Sequence, residues 1–96
     1  MQSLNTIKEK LKAALPVLKS RYPIEKLGVF GSATRSDFTA KSDIDILVEF
    51  NGEIGWEFID LAAELEKTLG RKVDLVSRRG IKSRHWEYIK DDLVYV

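Results

Sequence analysis

The chain has 96 residues, 44% of them apolar and 32% charged, with a formal net charge of +1; this is the balance of one globular domain over residues 1–96 and not of a disordered tail. It contains no cysteine, which excludes disulfides and thiolate metal sites and is compatible with a cytoplasmic location. Its apolar runs fall far short of the roughly 20 residues that span a bilayer, and the opening MQSLNTIKEK has no apolar signal core, so neither a membrane partner nor secretion is expected.

Leu4, Ile7, Leu11, Ala14, Leu15 and Leu18 recur at helical spacing. Pro16 falls inside that pattern, so the first helix is expected to kink or restart there. Arg21 to Glu25, with Pro23, reads as a break, and Leu27 to Phe30 as a short buried strand. Gly31-Ser32 ends that strand, and a turn or short helix follows. Asp43 to Phe50 reads as the second strand, and Asn51-Gly52 as a turn that permits a hairpin or a loop. Trp56 to Leu69 is the clearest helix, with Phe58, Leu61, Ala62, Leu65 and Leu69 on one face and Gly70 placed to end it. Lys72 to Val76 is a third strand. Ser83 is expected to cap a short helix over His85 to Lys90, and Leu93 to Val96 to form a terminal strand. The alternation implies an α/β (α+β) fold: a small mixed sheet of roughly three or four strands with helices mainly on one face.

The chemistry is expected around Gly31-Ser32 and Ser42-Asp43-Ile44-Asp45. In a strand, alternate residues share a face, so Asp43 and Asp45 stand side by side while Ile44 and Ile46 face the other way. Adjacent carboxylates raise each other's pKa unless a cation separates them. Hard oxygen ligands suit Mg²⁺, which is often held by one or two carboxylates plus substrate phosphate oxygens. Asp74, between Val73 and Leu75, is an acid in the same setting, and it reaches the same site if its strand pairs with the second one. A lone Asp-x-Asp is a weak signal, most often a pair of exposed acids at a strand end. The Gly-Ser turn before it and the strand acid after it strengthen the metal reading, and three carboxylates can serve two metal ions. Gly31 permits close backbone approach to a ligand, Ser32 can offer its hydroxyl and N–H to a phosphate, and Arg35 can pair with one as a planar fork. The plainer alternatives are a strand-to-helix turn with a serine cap, and a surface arginine.

Charge is segregated: seven Lys/Arg against two acids up to Arg35, one against nine from Ser36 to Glu66, and eight against four from Lys67 onward. This describes either solvated helix faces or an acidic metal site flanked by basic, phosphate-attracting surfaces.

The string Gly31-Ser32-Ala33-Thr34-Arg35, with Ser42-Asp43-Ile44-Asp45-Ile46-Leu47-Val48-Glu49-Phe50, resembles the DNA polymerase β-like nucleotidyltransferases. Their signature is a Gly-Ser turn, an Asp-x-Asp strand and a later strand Asp. More narrowly the chain is similar to the minimal nucleotidyltransferase (MNT) antitoxins along nearly its whole length, down to Asp91-Asp92-Leu93-Val94-Tyr95-Val96. The resemblance implies that Gly31, Ser32 and Arg35 bind the phosphates of an NTP substrate, ATP. It implies that Asp43, Asp45 and Asp74 are catalytic and hold two Mg²⁺ ions, with Asp74 helping to deprotonate the acceptor hydroxyl. Many relatives carry a small residue and then glycine around the arginine, whereas Thr34 and Ser36 flank Arg35 here.

Such antitoxins are usually paired with a HEPN-domain ribonuclease toxin and attach AMP to one of its tyrosines. The implied function is thus AMP transfer to a partner protein, within a homo- or hetero-oligomer. The chain has no residues left for a domain that presents an acceptor, so the acceptor is expected on another molecule. A non-catalytic antitoxin that only blocks the toxin has no need for paired carboxylates, and transfer to a small molecule is disfavoured by the missing acceptor domain. Lys72, Arg78, Arg79, Lys82 and Arg84 permit RNA contact, but no RNA-binding module is recognisable, so direct nucleic-acid binding is not expected. His85 is expected to pack or face solvent, and Trp56 and Trp86 to fill a core or interface.

Overall fold

The computed structural model describes residues 3–35, 38–39 and 41–96. Helix α1 spans Leu4–Arg21. Ser3 caps it by accepting from the Thr6 N–H at 3.2 Å, and Lys19 and Arg21 sit in its last turn, where cations suit the helix dipole. The helix does not restart at Pro16. That proline is exposed, as is Lys12 four residues earlier, so solvent can serve the carbonyl that the missing N–H leaves unpaired. Ile7, Leu11 and Leu18 form the buried stripe.

Strand β1, Ile24–Phe30, begins earlier than its apolar pattern suggests. Ile24 pairs with Phe50 but Lys26 pairs with Glu49, so one extra residue bulges out of β1. The bulge reverses the alternation: Ile24 and Leu27 are both buried although three residues apart. A 3-10 turn, Gly31–Thr34, follows. Strand β2 is Ile44–Phe50, one residue shorter than expected, which leaves Asp43 just outside the ladder. Asn51-Gly52 does not make a hairpin. It leads into helix α2, Glu57–Leu69, and on to strand β3, Val73–Ser77, which runs parallel to β2. A parallel pair needs a crossover of this length, and α2 supplies it. Gly70 ends α2 at φ 68°, its N–H bonded to the Glu66 carbonyl at 2.7 Å.

Helix α3, Ser83–Asp92, is longer than expected, and Ser83 is not its cap. Lys82 holds the extended conformation before the first turn, and its carbonyl accepts from Trp86 N–H at 3.0 Å. Strand β4, Val94–Tyr95, pairs antiparallel with β1. Gly28 makes room for it, since a Cβ there would stand 2.8 Å from Leu93 Cδ1.

The sheet order is β3-β2-β1-β4, mixed, with β1 antiparallel to both neighbours. One face carries Leu27, Val29, Ile44, Ile46 and Val48, and packs on the buried stripes of α1 and α2. The helices are therefore mainly on one face. The opposite face carries Phe30, Asp45 and Asp74, and α3 closes part of it. No helix among the described residues is long and apolar enough to cross a membrane.

Candidate active site

Two strands bring the acids together. In the parallel β2–β3 ladder, Ile44 pairs with Val73, Asp45 with Asp74 and Ile46 with Leu75. The isoleucines, Val73 and Leu75 turn to the helix-covered core, so alternation sends Asp45 and Asp74 out together on the other face. Asp45 is half-buried and its pKa is raised to about 6. Burial is the main cause, followed by the charges of Asp74 and Asp43 and a hydrogen bond with Asp74; Arg35 pulls weakly the other way. Asp43 lies immediately before β2, exposed, and within electrostatic reach of Asp45. Glu49, the next acid on β2 with this orientation, accepts from Tyr95 Oη at 2.6 Å and is drawn toward β4. Burial and that bond push the Tyr95 phenol up to about 12.

Gly31 completes the approach from β1. Phe30 is the register partner of Asp45, so the turn after it meets the Asp45 side chain. Gly31 has φ +71°, and a Cβ there would stand 2.1 Å from Asp45 Oδ2. Glycine is required twice over, for the backbone conformation and for the space. Thr34 Oγ1 donates to the Gly31 carbonyl at 2.8 Å and Arg35 N–H to the Ser32 carbonyl at 3.0 Å, which holds the turn closed. Ser32 is half-buried in that turn. Arg35 leaves it toward α3 and pairs with Asp92 at 2.5 Å. Ser36, the residue that stands beside Arg35 where relatives have glycine, lies outside the described residues.

No three His, Cys, Asp or Glu side chains among the described residues close into a ready cation cage. The donor set nevertheless fits Mg²⁺, which keeps several waters and borrows phosphate oxygens from substrate instead of relying on an all-protein cage. Desolvation and two neighbouring acids raise the Asp45 pKa, and a bound cation would relieve that repulsion.

Beside the acids runs a cleft of about 540 Å³ between the edge strand β3 and α3. Asp74, Phe30, Val76, Ile81, Tyr88 and Ile89 are among its lining residues, and His85 stands exposed at its side. Aromatic and aliphatic walls beside a carboxylate suit an organic ring next to a reacting group. Trp56 is 84% exposed and fills no core. Trp86 is half-buried, with the Arg78 guanidinium 3.9 Å from its ring centre. Arg79 donates to the Phe50 carbonyl at 3.0 Å, so two cations of the basic stretch serve the fold.

One residue that braces the site carries little signal in the sequence. Arg71 donates to the Thr39 and Ser42 carbonyls and stacks on Phe38, on the loop that leads into Asp43. Its only sequence signal is its place after the helix-ending Gly70.

The sequence pattern of the nucleotidyltransferase domain family matches residues 11–96. A protein of Thermococcus cleftensis, named protein adenylyltransferase MntA, is 39% identical over 98 residues, spanning 100% of this chain and 98% of that one. A solved structure described as a candidate minimal nucleotidyltransferase superposes with TM-score 0.80 at 33% identity, covering 97% of this chain and 95% of the other. A solved complex of a tri-AMPylated Shewanella oneidensis HEPN toxin with MNT antitoxin shares the fold, at TM-score 0.67 and 21% identity over 93% of this chain and 70% of that one.

Proposed function

The chain belongs to the nucleotidyltransferase domain family, and on that premise we propose that it moves AMP from ATP to a hydroxyl of a partner protein. The observation that carries this reading is the pairing of Asp45 with Asp74 beside the Gly31 turn. Residues 1–96 act as one minimal transferase domain, with Asp43, Asp45 and Asp74 as catalytic acids. These three carboxylates would hold two Mg²⁺ ions, which supply charge neutralisation for the triphosphate and lower the pKa of the acceptor hydroxyl.

The protein's own groups do the rest. The Gly31-Ser32 turn donates its amide and hydroxyl to phosphate oxygens, and Arg35 adds a cation once it is drawn from Asp92. Asp74, at the border of the apolar cleft, takes up the proton of the acceptor hydroxyl. The acceptor oxygen forms a bond to the α-phosphorus, the bond between that phosphorus and the bridging oxygen breaks, and pyrophosphate leaves.

The acceptor is a tyrosine of a HEPN toxin, so the chain works as an antitoxin in a cytoplasmic hetero-oligomer. Support comes from a full-length relative named as a protein adenylyltransferase and from a fold neighbour solved with a tri-AMPylated HEPN toxin. The test is incubation with labelled ATP, Mg²⁺ and the product of a HEPN-like reading frame sought beside its gene. Label transferred to a tyrosine of that protein supports the reading; label on neither protein sinks it.

A further inference from the structure

Asp43 is the acid that the sheet does not hold. Strand β2 starts one residue later, and the Asp43 side chain is exposed. Its backbone is nevertheless gripped on both sides. Downstream, Ile44 N–H donates to the Lys72 carbonyl at 3.0 Å. Upstream, the Arg71 guanidinium reaches back from the start of the β3 segment. Its Nη2 donates to the Thr39 carbonyl at 2.8 Å and also to the Ser42 carbonyl. The same group lies over the Phe38 ring, 4.5 Å from its centre, and Phe38 packs on the core. The loop adds its own turn: Thr39 N–H donates to Ser42 Oγ at 3.1 Å, and Ser42 N–H to the Thr39 carbonyl at 3.1 Å. Arg71 and Lys72 thus bracket Asp43 from the segment that, two residues later, presents Asp74.

We propose that Arg71 is a positioning residue that fixes Asp43 relative to Asp45 and Asp74, and so sets the cation affinity of the acid cluster. The inference rests on the transferase reading of this site. A planar guanidinium can serve two carbonyls and lie flat on a ring at once. A lysine ammonium keeps the charge but cannot reproduce that arrangement. Groups that orient a metal-binding residue typically matter by roughly 10–100-fold in metal affinity.

The test compares wild type, Arg71→Lys and Arg71→Ala. Mn²⁺ binding is measured by calorimetry in the presence of a non-hydrolysable ATP analogue. Trypsin cleavage after the exposed Lys41 is followed by intact mass, and AMP transfer is titrated with Mg²⁺. The expected result is a loss of about tenfold in Mn²⁺ affinity in both variants, with faster cleavage after Lys41. The Mg²⁺ needed for half-maximal transfer should rise by a similar factor, while the rate at saturating Mg²⁺ stays within a few-fold of wild type. Lost fold stability alone would not produce that split. Wild-type Mn²⁺ affinity and Lys41 protection in Arg71→Ala would overturn the proposal, as would full rescue by Arg71→Lys. If wild type transfers no AMP at all, the transferase reading fails, while Lys41 cleavage still decides whether Arg71 clamps the loop.

Discussion

Asp45 and Asp74 are register partners across the parallel β2–β3 ladder, on adjacent strands and the same face of the sheet. Their carboxyl groups are close enough to share a hydrogen bond, and with burial and Asp43 this raises the Asp45 pKa from 3.8 to about 6. The sheet therefore holds two acids in an arrangement that is unfavourable until a cation or a proton joins them.

Stability without metal should record this strain. Asp45 binds its proton more tightly in the fold than in the unfolded chain, so its contribution is full below pH 3.8 and is lost as pH rises through about 6. A shift of that size caps the effect near 3 kcal/mol, and solvent screening at a half-exposed site leaves about 1 kcal/mol. In EDTA at pH 7.5, Asp45→Asn should therefore melt several degrees above wild type, while at pH 4 the gap should close. A gap of equal size at both pH values in scanning calorimetry would contradict the assignment. The same variant should transfer no AMP at pH 7.5.

Gly31→Ala tests the close approach. The new methyl would need a left-handed backbone and would displace the Asp45 carboxylate. The conformational part alone costs about 1–2 kcal/mol, and transfer should fall further than stability because Asp45 moves. A variant with wild-type Tm and rate would show that the turn stands clear of the acids.

ATP binding should require a divalent cation. Triphosphate beside Asp43, Asp45 and Asp74 is repelled unless metal bridges them. Calorimetry should give measurable affinity with Mg²⁺ and none in EDTA, and Ser32→Ala should weaken it by one hydrogen bond to a charged group, about 1.5–3 kcal/mol. Equal affinity with and without metal is the result that this site does not allow.

Asp74→Asn should separate binding from chemistry. Asp43 and Asp45 remain to receive the nucleotide, so ATP affinity should fall only slightly. The acceptor hydroxyl loses the carboxylate that draws off its proton, which is worth roughly 10²–10⁴-fold in rate. Single-turnover transfer at saturating ATP measures this. A rate within a few-fold of wild type would make Asp74 a surface acid.

Much of this molecule is local and therefore readable along the chain. The period of Leu61, Leu65 and Leu69, the stop at Gly70, the apolar alternation of Ile44 to Phe50 and the Gly-Ser and Asp-x-Asp signals each depend on neighbours a few residues away. What escaped was non-local. The bulge after Ile24 hides a strand start, because it breaks the alternation by which strands are recognised. The pattern leaves open whether the helix runs on through Pro16 or restarts there, and the exposure of that face of α1, which lets it run on, is not written in the local sequence. Composition and pattern determined that Asp45 and Asp74 would stand in strands with their apolar neighbours turned inward. Only the tertiary structure decided that Asp45 meets Asp74, that Gly31 lies against Asp45 and that Arg71 grips the loop before Asp43. Strand register and side-chain reach are set by the crossover through α2 and by packing against a shared core, and these relations join residues that are distant along the chain.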